Sequence, residues 1–197
     1  MKTLFLNLAS QKGAIACVTP DSVESSVAID RQHSDDALIA MIDRALAKAS
    51  WSLDLLTHVA CITGPGGFMS LRVGVSAANA IAWAQNIPIS GIPLWQIAHA
   101  QSPGTTWVHS TKKSHLFLLS PSSTAEPILV ATEDLAAHLT PGTVVTGELI
   151  PEHQSLLVKL GCMEVTNLPS IETVLPSVIS AASFGPPPVL PWYGRGW

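Results

Sequence analysis

Gly64-Pro65-Gly66-Gly67-Phe68-Met69-Ser70-Leu71-Arg72-Val73-Gly74 is the stretch on which the fold of this chain turns. It follows an apolar run, Thr57–Thr63, and opens a segment of helical character at about Ser70–Gln85. Glycines between a strand and a helix let the backbone approach whatever sits at the helix start, where free amides favour an anion. Gly64, Gly66, Gly67 and Arg72 are therefore the candidate anion or turn residues. Most such turns serve packing, and an ion pair near the helix start would account equally for Arg72. The helix itself carries Gly74, Ala77, Ala78, Ala80, Ala82 and Ala84, side chains small enough for a neighbouring helix to approach closely.

Working outward, residues 3–9 read as a buried strand, Gln11-Lys12-Gly13 as a turn and Ala14–Thr19 as the returning strand of a hairpin, with a third strand near Ser25–Asp30. The period then becomes helical. Ser34 can cap a helix over about 34–49 whose first turn holds Asp35 and Asp36, at the positive end of the dipole. Leu38, Met41, Ile42, Ala45, Leu46 and Ala49 form one apolar stripe, and Ile39 and Ala40 widen it. A helix apolar on more than one face is buried on more than one side, so the sheet and a second surface are both expected to cover it. After the glycine turn and its helix, Ile87–Ile92 reads as a strand and a short helix runs through Ala100.

The Ser/Thr/Gly/Lys-rich stretch 102–114 marks a boundary, giving lobes 1–103 and 104–197. Strands are expected at His115–Ser120, Pro127–Val130 and Thr143–Gly147, with helices near Thr132–Leu139, Pro151–Leu160 and Ser170–Ala182. Gly185-Pro186-Pro187-Pro188-Val189-Leu190-Pro191-Trp192 is an extended, non-helical tail. The order hairpin, strand, helix, strand, glycine turn, helix, strand is α/β with a mixed sheet.

Ten Lys plus Arg against fourteen Asp plus Glu give a net charge of −4, which argues against a chain that holds nucleic acid alone. Apolar types reach 47% and charged types 12%, an excess that suggests apolar surface covered by another chain. Cys17, Cys61 and Cys162 form no Cys-x-x-Cys pair and read as small core residues in a reducing compartment. The apolar start is broken at Asn7 and Gln11-Lys12-Gly13, too early for a signal sequence, and no run suits a membrane span; a cytoplasmic location is expected.

Several segments carry a resemblance. Gly64–Gly74 is similar to the Gly-Pro-Gly-Ser-Phe-Thr-Gly-(Leu/Ile/Val)-Arg-(Ile/Val)-Gly signature of the TsaB/YeaZ family. Arg31-Gln32-His33-Ser34 followed by Met41-Ile42-Asp43 resembles that family's first-helix pattern, and Asn86-Ile87-Pro88-Ile89-Ser90-Gly91 its following strand entry. The likeness covers residues 1–100 and continues thinly through Val144-Val145-Thr146-Gly147 and Leu190-Pro191-Trp192-Tyr193-Gly194-Arg195. It implies the two-lobed actin/sugar-kinase-like (ASKHA) fold, mixed sheets flanked by helices, with a reduced second lobe. It also implies a non-catalytic subunit of the machinery that makes threonylcarbamoyl-adenosine beside the tRNA anticodon. The expected partners are a catalytic TsaD-like paralogue and a TsaE-like ATPase, or a second copy of the chain, with tRNA met only through the complex and no membrane contact.

The family pairs through its first two helices, so the resemblance places the partner interface at His33, Ala37, Met41, Arg44, Ala45, Leu71, Val75, Ala78, Asn79 and Ala82. Departures bear on chemistry. Gly67 and Met69 replace the signature's Ser and Thr, and the family's Asp-Thr-Ser at the end of the first strand is replaced by a stretch at or near Leu8-Ala9-Ser10, without the acid. No two of the seven His are four apart, as the metal pair of the catalytic paralogue would need, and no Gly-x-Ser-x-Gly elbow is present. No catalytic residue, metal or cofactor is expected. The reading from another class is a nucleotide-binding or hydrolysing enzyme of the same fold, from which the missing acid separates it.

Overall fold

The computed structural model describes residues 1–10, 12–29, 37–123 and 126–194. Its elements run β1 (Thr3–Asn7), β2 (Ala14–Val18), β3 (Val23–Ala28), α1 (Leu38–Lys48), β4 (His58–Gly64), α2 (Phe68–Gln85), β5 (Ile89–Pro93) and α3 (Leu94–Gln101). There follow β6 (Thr106–Lys112), β7 (His115–Leu119), β8 (Ile128–Ala131), α4 (Leu135–His138), β9 (Val144–Thr146), α5 (Pro151–Lys159), β10 (Met163–Glu164) and α6 (Ile171–Ala181). The α/β architecture with two mixed sheets flanked by helices is the one expected. The division differs from a cut at 103/104. One unit joins Met1–Leu94 to Ile171–Tyr193, and the other is essentially Trp95–Ser170. The boundary falls earlier because α3 follows β5 without a linker, and α6 with the tail returns to the first unit.

In the first unit the sheet order is β3-β2-β1-β4-β5. Strand β1 runs antiparallel to β2 and parallel to β4, and β4 parallel to β5. The central strands read as near-continuous apolar runs because both sheet faces are covered: Leu4, Phe5, Leu6, Ile15, Ala16 and Cys17 are all fully buried. The connections β3–α1–β4 and β4–α2–β5 advance in the same direction. Right-handed crossovers therefore place α1 and α2 on one face of the sheet. The Ser25 hydroxyl donates to the Ala45 carbonyl at 2.7 Å, which sets α1 on that face. The next residue points the other way, and the Ser26 hydroxyl donates to Glu172 of α6 at 2.9 Å.

Helix α2 begins two residues earlier than expected, at Phe68, and ends at Asn86, which takes the left-handed conformation (φ 51°) and returns its amide to the carbonyls of Ala82 and Trp83. The expected cap at Ser34 with Asp35 and Asp36 lies outside the described residues. All three cysteines are buried, and burial pushes the Cys61 thiol up to about 12, so it is held protonated and unreactive.

The second unit has sheet order β10-β9-β6-β7-β8, with β6–β7–β8 an antiparallel meander and β9 parallel to β6. Val108, Leu116, Val130, Leu135, Val145 and Leu157 form its core on one face. Buried His153 lies within 2.8 Å of the Ser110 hydroxyl through Nδ1 and 3.0 Å of the Lys113 carbonyl through Nε2, while the Ile150 amide donates to the same hydroxyl. This set joins the first turn of α5 to the β6–β7 hairpin.

On the opposite face of β6, His109 stacks on Trp107 with ring centroids 5.4 Å apart, and its Nδ1 has no hydrogen-bond partner among the described residues. Burial lowers its pKa from 6.5 to about 4. The unfolded chain then binds the extra proton between pH 6.5 and 4, so His109 favours folding fully above 6.5 and loses that contribution as pH falls through this window. The expected result is that His109→Phe, followed by urea unfolding at several pH values, removes up to about 3 kcal/mol of the acid-side loss. An unchanged pH profile would contradict the assignment.

Candidate functional site

The glycine turn between β4 and α2 is a junction of three backbone segments. Gly64 has φ +128°, and a Cβ there would collide with the Trp192 carbonyl. A Cβ on Gly66 would collide with Ala9, whose carbonyl also accepts the Gly67 amide at 3.4 Å. Two of the three candidate glycines are thus required by the close approach of other chain segments, which is the packing reading. The residue at the end of β1 is Asn7, because the strand stops there and does not reach Ala9. Asn7 is buried; its amide donates to the Ser10 hydroxyl at 2.7 Å and its carbonyl oxygen accepts the Ser10 amide at 3.2 Å. Sequence reasoning placed the acid-less position at residues 8–10 and so missed Asn7. Its polarity at the end of an apolar strand was the available signal.

Among the described residues, Arg72 makes no ion pair of the kind expected near the helix start. Its guanidinium lies 4.0 Å over the Phe68 ring, and its Nε donates to the Tyr193 hydroxyl at 3.1 Å. Phe68 and Tyr193 are themselves 5.3 Å apart, so the cation is held between α2 and the tail. Among the described residues, no three His, Cys, Asp or Glu are grouped to hold a metal ion.

The expected interface residues separate by burial. His33 lies outside the described residues. Met41, Ala45, Leu71, Val75, Ala78 and Ala82 are buried within the chain's own unit, Met41 at 8% and Val75 at 3% exposure. They face the sheet, because the helical stripe that looked available to a partner is the one that closes the core. Gly74, for example, rests against Leu8. Asn79 is half-buried and its side chain amide is engaged by Val189 of the tail. Arg44 is exposed and Ala37 half-buried.

What the two helices do present is different. Ile39 on α1 is 64% exposed, and on α2 Met69 is 61% and Trp83 79% exposed. Exposed Ala80 and Ala84 and half-buried Val73 and Ala77 continue the outer face of α2. Trp83 stands in solvent. Large apolar side chains left exposed on a helix are candidates for cover by another molecule. No described helix is long and apolar enough to cross a membrane.

The family model for tRNA N6-adenosine threonylcarbamoyltransferase, TsaD, matches residues 26–119. The transferase of that name from Bifidobacterium adolescentis is 33% identical over 109 residues, covering 55% of this chain and 30% of that protein. The one from Geobacter metallireducens is 44% identical over 62 residues, covering 32% and 18%. The chain thus spans less than a third of the length of these curated relatives. Among solved structures, a Pseudomonas aeruginosa protein described as similar to peptidase YeaZ superposes with a TM-score of 0.72 at 17% identity, over 98% of this chain and 99% of that one. YeaZ from Pseudomonas aeruginosa gives 0.68 at 16% identity over 91% of each chain.

Proposed function

We propose that this chain, which has the YeaZ fold that its sequence resemblance implied, is a non-catalytic partner subunit in threonylcarbamoyl-adenosine formation on tRNA. It docks onto a TsaD-like catalytic paralogue, and an ATPase of the TsaE kind joins that assembly. The observation that carries this reading is the exposure of the large apolar side chains Ile39, Met69 and Trp83 on the two helices that share one side of the first sheet. The TsaD family match over residues 26–119 spans both helices. The candidate anion turn is filled by the chain's own backbone at Ala9 and Trp192, and the end of β1 carries an amide in place of an acid. Both features favour a docking role over the nucleotide-hydrolysing one.

The experiment has two arms. Purified with a TsaD-like paralogue from its own source, the chain should co-elute on size-exclusion chromatography with light scattering. Alone, it should give background threonylcarbamoyl transfer. Transfer that co-elutes with the free chain would overturn the non-catalytic assignment, whereas failure to co-elute would overturn the docking one.

A further inference from the structure

We propose that the flank of α2 and the open edge of β5 form a groove for an extended peptide, and that residues 185–193 of this chain are its exchangeable intramolecular occupant.

Strand β5 is last in the sheet order, so one of its edges has no strand partner and offers free main-chain groups. The tail takes up that edge at its first residue: Ile89 and Gly185 exchange hydrogen bonds in both directions, at 2.8 and 3.0 Å. Four residues on, the Asn79 side chain does what a β-ladder neighbour would do. Its Nδ2 donates to the Val189 carbonyl at 2.9 Å and its Oδ1 accepts the Val189 amide at 2.8 Å. The Trp192 amide then donates to the Thr63 carbonyl at 2.7 Å. Arg72 closes the series on the Tyr193 hydroxyl.

Each of these hydrogen bonds before Tyr193 is made to the tail's main chain. The groove therefore recognises an extended backbone and asks little of the side chains. Leu190, in the middle of the seated segment, is 75% exposed. Gly91 supplies the room, since its absent side chain would meet Thr63 and Val189. Pro186, Pro187, Pro188 and Pro191 each fix φ, so the segment has less backbone freedom to lose on seating. A tethered occupant of this kind is present at an effective concentration on the order of millimolar. A free peptide at similar concentration can therefore compete for the groove. The matching ligand class is an extended, proline-rich segment, read as an added strand at a sheet edge.

The test uses the full chain and hydrogen–deuterium exchange. The hydrogen-bonded amides of Gly185, Val189 and Trp192 should be protected in the wild type. Asn79→Leu, which removes both side-chain bonds at similar size, should speed their exchange by at least about tenfold while β1 to β3 stay unchanged. A synthetic peptide with the sequence of residues 185–193, added to the wild type at millimolar concentration, should displace the tail and speed exchange of the chain's own copy. A tail that exchanges as freely as an open chain, or a displacement by peptide that never occurs, would overturn the proposal. So would protection that survives Asn79→Leu.

Discussion

Val75→Glu is expected to destabilise the first unit by about 4 kcal/mol or more, whereas Trp83→Glu on the same helix should stay within about 0.5 kcal/mol of the wild type. Val75 is 3% exposed and lies on the face of α2 that closes against the sheet with Leu71, Ala78 and Ala82. A carboxylate there loses its hydration and must take up a proton or disrupt the packing. The protonated acid is still a poor fit where a valine was packed. Trp83 is 79% exposed, so a charge there remains in water. Urea unfolding of both variants separates the faces of the helix. Equal losses of stability would show that Trp83 is part of the core and would remove the basis for a partner face.

The second large effect is expected at the glycine turn. Gly64→Ala should cost about 3 kcal/mol, and Gly67→Ala only a few tenths. At Gly64 two penalties combine: a φ of +128° that side-chain-bearing residues rarely adopt, and a collision with the Trp192 carbonyl. Relieving the collision moves Trp192 away and breaks its amide bond to Thr63. At Gly67, φ is −59° and the nearest atom to an added Cβ is the Ser70 hydroxyl oxygen at 3.7 Å. The measurement is the unfolding midpoint of each variant together with exchange at residues 185–193, which should rise in Gly64→Ala alone. Similar behaviour of the two variants would mean that the turn is not a packed backbone junction.

The sequence made the order of elements legible because the patterns are clear: short apolar runs in β1 and β2, then helical spacing from Leu38 to Leu46, then glycines before α2. The sidedness of the helices was harder to read. Met41, Val75 and Ala78 were assigned to a partner because they form an apolar series at close-packing spacing. That same series is what a helix needs to lie on its own sheet, and period alone cannot tell the two coverings apart. Ile39, Met69 and Trp83 break the main stripe, and such off-stripe apolar residues were the better signal for an outward face. The returning tail was legible only as extended. Nothing local in 185–193 says that its backbone meets Asn79, Thr63 and Ile89, because those contacts join segments far apart in sequence. The same holds for the unit boundary, which depends on where α6 comes to rest.

The central claim is that the chain works by docking through the outer faces of α1 and α2. Its most direct test is titration of the purified chain against a TsaD-like paralogue, comparing the wild type with Ile39→Glu, Met69→Glu and Trp83→Glu. Each variant should first be shown to retain wild-type stability. The account predicts a saturable complex for the wild type and at least about tenfold weaker binding for Trp83→Glu, with losses of similar sense for the other two. Three well-folded variants that bind as tightly as the wild type would contradict it, as would a wild-type chain that binds no such paralogue.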